Sequence, residues 1–183
     1  NIGPQVKLGE NLFSERVTIG GKDFFKVFDF DVEKGDTQTA LEGANNVVIT
    51  KRMAVKYFGE SEPINKVLAI QLGDDFQDFA VKAVVKDVPT NSSIQFDILI
   101  SDLNYPKLYS ERALTSGWFN ITPETYVLLR KDASASQLEK KIQPFMKKVL
   151  GSDFDAKYEV GLQPLTDIHL NTYYPAGIAP VSN

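Results

Sequence analysis

The chain has no cysteine among its 183 residues. Disulfide staples, thiolate zinc sites and thiol nucleophiles are therefore excluded, and a hydrophobic core must carry the stability. Histidine is scarce as well, with His169 the single one. One histidine cannot build a His-rich metal site, and a serine nucleophile would need its base from there. No G-x-S-x-G, G-x-x-x-x-G-K-[ST], G-x-G-x-x-G or H-E-x-x-H occurs, so the sequence carries no nucleophile elbow, nucleotide loop or zincin helix. No apolar run approaches the ~20 residues of a membrane span, and no signal-peptide pattern opens the chain. Charge of one sign is also lacking. Lys and Arg total 20 against 24 Asp and Glu, for a net charge of −4. No dense basic patch is present, which argues against a nucleic-acid partner or an anionic membrane surface.

What the sequence does contain is core-forming material. Hydrophobic residues make up 43% and aromatics 11%, enough for one domain or for two small lobes sharing a core. The organising stretch is Asn46 to Lys66. Val47, Val48 and Ile49 form a short β-branched run suited to a buried strand. Thr50 is placed to cap a helix, and Ala54, Tyr57 and Phe58 then share one helical face. Gly59 suits the helix end, and Pro63 forbids a restart.

On either side the pattern alternates between strands and turns. Residues 1–13, with Gly3, Pro4 and Gly9, read as a loop or frayed edge. A strand is expected from Glu15 to Ile19, stopping at Gly20-Gly21, and then a short helix capped by Asp23 with Phe24, Phe25 and Phe28 inward. Phe30 and Val32 continue extended to a turn at Gly35-Asp36. Val67–Leu72 and Phe79–Val85 form a hairpin around Gly73-Asp74-Asp75, and Phe96, Ile98 and Ile100 alternate as another strand with Asp97 opposite. Residues 101–123 are irregular with one short helix, anchored by burial of Trp118 and Phe119. Thr125–Arg130 reads as a strand. Ser134-Ala-Ser-Gln137 is a capping box opening a helix whose Leu138, Ile142, Phe145 and Val149 form one stripe, kinked at Pro144 and ending near Gly151. Tyr158, Val160 and Leu162 alternate as a last strand.

Few of these residues suggest chemistry. His169 sits in an apolar alternating segment and reads as structural rather than as a base or ligand. Asp74, Asp75 and Asp78 lack the alternating ligands and distant Glu of a calcium loop, so a solvated turn is favoured. Asp87 reads as a turn cap. A hydrolase would need Asp87 and Asp97 to converge within about 5–10 Å, and this reading is the least favoured. A small-molecule module would need Trp118, Tyr105, Tyr109 and Tyr126 to line a pocket. Asn91-Ser-Ser93 and Asn120-Ile-Thr122 match the short glycosylation sequon, a chance-level pattern.

The order V-V-I-T-x-x-x-A-x-K-Y-F-G-x-x-x-P-I-x-K-x-L from Val47 to Leu68 resembles the MacB-like periplasmic core domain of FtsX-like ABC transporter permeases, especially the Bacteroidetes-type versions. Four further blocks are similar and fall in the family's order. They are Phe24 to Phe30 with Gly35-Asp36 and Ala40-Leu41, then Val81 to Asp97, then Thr125 to Leu129, and Leu165 to Leu170. The resemblance implies an α+β fold with two lobes. A discontinuous porter-like βαβ lobe, residues 1–44 plus 120–183, would carry an inserted strand-rich, sabre-like lobe, residues 45–119. It implies a non-enzymatic domain without cofactor, metal or catalytic residues, held in the periplasm by an inner-membrane protein. It also implies a chain cut between two membrane helices, consistent with the start at Asn1 and the polar end at Asn183. The implied partners are a second permease copy, a separate ABC ATPase subunit acting through those helices, and a periplasmic protein or lipoprotein, with no nucleic acid. The implied action is transmission of ATP-driven motion.

Overall fold

Alternating apolar positions build one mixed eight-stranded sheet, and a single amphipathic helix covers one of its faces. The computed structural model describes residues 4–116, 124–150 and 161–167. The chain divides into two compact units, Asn1–Glu124 and Thr125–Asn183.

In the first unit, β1 (Gln5–Leu8) and β2 (Asn11–Ser14) form a hairpin, followed by β3 (Val17–Gly20) and the one-turn helix α1 (Phe24–Val27). β4 (Val32–Gly35) and β5 (Asn46–Thr50) lead into α2 (Lys51–Phe58). β6 (Val67–Leu72), the long β7 (Asp75–Val85) and β8 (Ile98–Ser101) complete the sheet. A 3₁₀ turn at Asp102–Asn104, α3 (Tyr105–Leu108) and α4 (Glu111–Ser116) follow. The sheet order is β2-β1-β6-β7-β5-β8-β3, with β4 pairing β7 off this path. Only β3–β8 and β5–β7 are parallel.

The hydrophobic core follows from this register. Val6, Leu68, Ile70, Phe79 and Val81 share one face with Val47, Ile49, Ile98 and Ile100, and Met53, Ala54 and Tyr57 of α2 pack onto it. β5 and β8 are buried on both faces. On the far side Ala40 and Leu41 are buried, and the loop carrying them is held by Ser101 Oγ donating to the Leu41 carbonyl (2.8 Å) and Asn104 Nδ2 donating to the Ala44 carbonyl (2.8 Å).

The strand, helix and turn of the organising stretch fall where its pattern predicts, as do β6, β7 and β8, but Thr50 makes no capping bond. Three expectations differ. Residues 5–14 are a hairpin rather than a loop, because Gly9, at φ +60°, opens a two-residue turn that pairs Leu8 with Asn11. Residues 101–116 hold more helix than the one short piece expected. Thr125–Arg130 forms no strand. β propensity alone does not make a strand. Hydrogen bonding places residues 5–35 in one sheet with 46–101.

In the second unit, α5 (Ala135–Leu150) runs unbroken through Pro144. Ser134 Oγ accepts from the Gln137 amide at 3.4 Å, the first half of the predicted box. Phe145 and Val149 on its stripe are exposed, and Glu139 accepts from the Leu162 amide at 2.8 Å.

Candidate functional site

The densest polar geometry gathers on α2. Lys56 and Tyr57 are neighbours on the helix, and both reach Glu15, which lies between β2 and β3. Tyr57 donates its hydroxyl to Glu15 Oε1 at 2.7 Å, and Lys56 forms an ion pair with the same oxygen. The Glu15 side chain is only 6% exposed, so its charge would be costly if left unpaired. Phe13 closes the cluster, with its ring edge-on to Tyr57 (centroids 5.4 Å apart) and 4.7 Å from Lys56 Nζ. Burial first, and then the hydrogen bond to Glu15, push the Tyr57 hydroxyl far above its ordinary pKa.

The N-terminus of α2 is held from the opposite side. Asp87, just past β7, accepts from the Arg52 amide at 2.8 Å, as a capping carboxylate does. The Arg52 side chain pairs with Asp97, whose carbonyl in turn accepts from the Thr50 amide at 3.1 Å. In the loop before Asp97, Gln95 Nε2 donates to the carbonyls of Pro89 (2.7 Å) and Ser92 (2.9 Å), and the Asp97 amide donates to the Arg16 carbonyl at 3.3 Å. Thr50 occupies the N-cap position, yet its hydroxyl makes no capping bond. Its Oγ1 is buried without a hydrogen-bond partner among the described residues.

Two other features stand apart from α2. An open groove of about 360 Å³ lies over β1, β6 and β7, lined by Lys7, Leu8, Gly9, Val67, Ala69, Phe76 and Asp78. Half-buried Phe24, Phe25, Phe28 and Phe30 cluster around buried Phe96, with centroid separations such as 5.1 Å for Phe24–Phe28 and 5.2 Å for Phe30–Phe96.

The family model of the MacB-like periplasmic core domain matches residues 1–145. The chain belongs to that family. It is therefore the periplasmic domain of an ABC-type transporter permease, a protein of the inner membrane that works in a complex with an ATPase. The MacB-like fold is seen again in solved structures. A domain of a protein described as a permease from Porphyromonas gingivalis is 21% identical with a TM-score of 0.66, over 89% of this chain and 72% of that one. The periplasmic region of MacB from Actinobacillus actinomycetemcomitans is 16% identical with a TM-score of 0.51, over 79% of this chain and 62% of that one. No curated protein matches the chain. No helix among the described residues is long and apolar enough to cross a membrane.

Within this MacB-like domain the residues singled out from the sequence scatter. Asp87 and Asp97 do come together, but each is engaged by Arg52, one through its amide and one through its guanidinium. That is a clamp on a helix end, and neither carboxylate lines the groove over β1, β6 and β7. Tyr105 and Tyr109 pack on each other at 5.9 Å and do not line the groove. Asp74, Asp75 and Asp78 build no metal cluster among the described residues. Trp118, Phe119, Asn120, Gly151, Tyr158, Val160 and His169 lie outside the described residues. Glu15 was missed entirely. Its only signal is a carboxylate beside an apolar strand, and its partners lie 41 and 42 positions away.

Proposed function

We propose that this domain is a non-catalytic relay: it carries ATP-driven movement of the permease into the periplasm and presents that movement to a partner protein or lipoprotein there. Two permease copies face each other in this reading, and the ATPase acts on them through the membrane helices. The observation that carries it is the fastening of α2. Glu15 holds the helix through Lys56 and Tyr57, while Asp87 and Asp97 hold it through Arg52. These anchors come from before β3, after β7 and before β8, so helix and sheet are fixed as one block. A close-packed block passes on displacement because it does not deform continuously.

The test compares two preparations. Purified domain is expected to bind no nucleotide and hydrolyse nothing. In the assembled transporter, Glu15→Gln combined with Asp87→Ala is expected to leave ATP hydrolysis near wild type and to lower the transport or signalling output several-fold. Hydrolytic activity from the pure domain would refute the reading. So would undiminished output once hydrogen exchange has shown that α2 is loosened.

A further inference from the structure

The sheet is covered unequally. On the α2 side the core runs across all the strands from β1 to β8. On the other side β5 and β8 are buried, but the strands β2, β1, β6 and the first half of β7 are bare. The side chains on this bare surface follow from the register. Leu12 pairs with Lys7, Lys7 with Ala69, and Ala69 with Asp78, so these four lie in one row across the strands. Val67 and Phe76 flank the row on the same face, because each is an odd number of positions from a core residue of its strand. Leu12 is 54% exposed, Val67 48% and Phe76 41%. These three large apolar side chains stand around the charged row on the same face. Among the described residues neither Lys7 nor Asp78 makes an ion pair.

We propose that this face is the contact between two copies of the domain, with a two-fold axis running along β6 through Ala69. The charges select that occupant. Lys7 and Asp78 stand one strand to either side of Ala69. A two-fold axis along β6 exchanges the sides, so Lys7 of one copy is set over Asp78 of the other, and the reverse contact forms at the same time. An isologous interface requires this self-complementarity. The small side chain of Ala69 falls on the axis, where two facing sheets approach to about 10 Å. Val67 then meets Val67, and the pair of salt links brackets the apolar centre.

The contact is small. Four strands about 4.8 Å apart and about four residues deep present roughly 250 Å² per copy, well under the ~800 Å² per partner of a stable interface. It therefore forms only where two copies are already held close, at an effective concentration that a shared membrane assembly supplies. The inference rests on the two-copy reading above.

The experiment uses the full-length permease in its membrane, with any native cysteine replaced, carrying Ala69→Cys and treated with a short bismaleimide. A cross-linked dimer is expected. Adding Lys7→Glu, which sets a carboxylate against Asp78 of the other copy, is expected to lower the yield at least fivefold, and adding Asp78→Lys to that variant is expected to restore it. Both charges are exposed, and unchanged melting of each variant excludes misfolding. Permease size in detergent, measured in parallel, separates the two ways of failing. A dimeric permease in which the introduced thiol does not cross-link, or cross-links regardless of charge, overturns the contact and leaves the two-copy reading standing. A monomeric permease overturns both. Capture of a different protein by the introduced thiol overturns the self-contact and assigns the face to that partner.

Discussion

Among the described residues, Tyr57 is the one whose protonation is most strongly bound to the fold. Burial and its bond to Glu15 raise its pKa in the folded chain, while in the unfolded chain it titrates near its ordinary value of about 10. A raised folded pKa gives stability that is complete below about pH 10 and is lost as pH rises past it. Tyr57→Phe is therefore expected to lower the unfolding free energy at pH 7, measured by urea denaturation, by about 1.5–3 kcal/mol for a lost bond to a charged acceptor. It should also flatten the fall in stability as pH rises past about 10. Equal alkaline slopes for the two proteins would show that Tyr57 is not the linked group. Gly35 is a second position where one residue type is required. Its φ is +78°, and a β-carbon there would run into the Lys82 carbonyl oxygen. Gly9 also has positive φ, at +60°, but open space around it. Gly35→Ala is expected to destabilise by clearly more than the ~1–2 kcal/mol of the left-handed backbone alone, and Gly9→Ala by about that amount. Urea midpoints of the two variants check the order.

Among the elements, α2 shows how local pattern and distant contact divide the work. Its bounds were legible, because Thr50, the apolar face and Gly59 are all local signals. What caps it was not. Sequence pattern nominates the Thr50 hydroxyl, yet that oxygen is buried and has no partner among the described residues, and Asp87 supplies the carboxylate from 35 positions away. Spacing rules see the first kind of cap and are blind to the second. Thr50→Val is accordingly expected to be neutral or slightly stabilising, since it removes a buried hydroxyl that bonds nothing described. Asp87→Ala is expected to cost about 1 kcal/mol, the usual loss of a cap. Thermal melts decide this, and a larger loss from Thr50→Val than from Asp87→Ala would return the capping role to Thr50. The hairpin of β1 and β2 was illegible for a related reason. Its strands are only four residues each, and the contacts that fix them, Val6 and Phe13 paired across the turn and Leu8 beside them, are made with a core assembled from distant segments. The strand predicted at Thr125–Arg130 erred in the opposite direction: a β-branched and aromatic run reports fitness for a sheet and does not by itself make one.

At the scale of the whole molecule the question is which stretch carries a complete core. The family resemblance reads residues 45–119 as an inserted lobe. The hydrogen bonding makes a different demand on that stretch. Without residues 1–44, β8 loses its parallel partner β3 and β6 loses β1. α2 loses Glu15, and the core loses Val6. Both edges of the remaining sheet would then present unpaired backbone beside apolar side chains, the arrangement that native sheets avoid. The unit Asn1–Glu124 keeps all of these contacts, and the whole buried cluster lies within it. A fragment of residues 1–124 is therefore expected to unfold cooperatively with a dispersed amide spectrum. A fragment of residues 45–119 is expected to aggregate or to show collapsed, poorly dispersed signals. Cooperative unfolding of 45–119 by itself would establish it as an autonomous lobe, and strands β1 to β4 would then be packing added onto a sheet that does not need them.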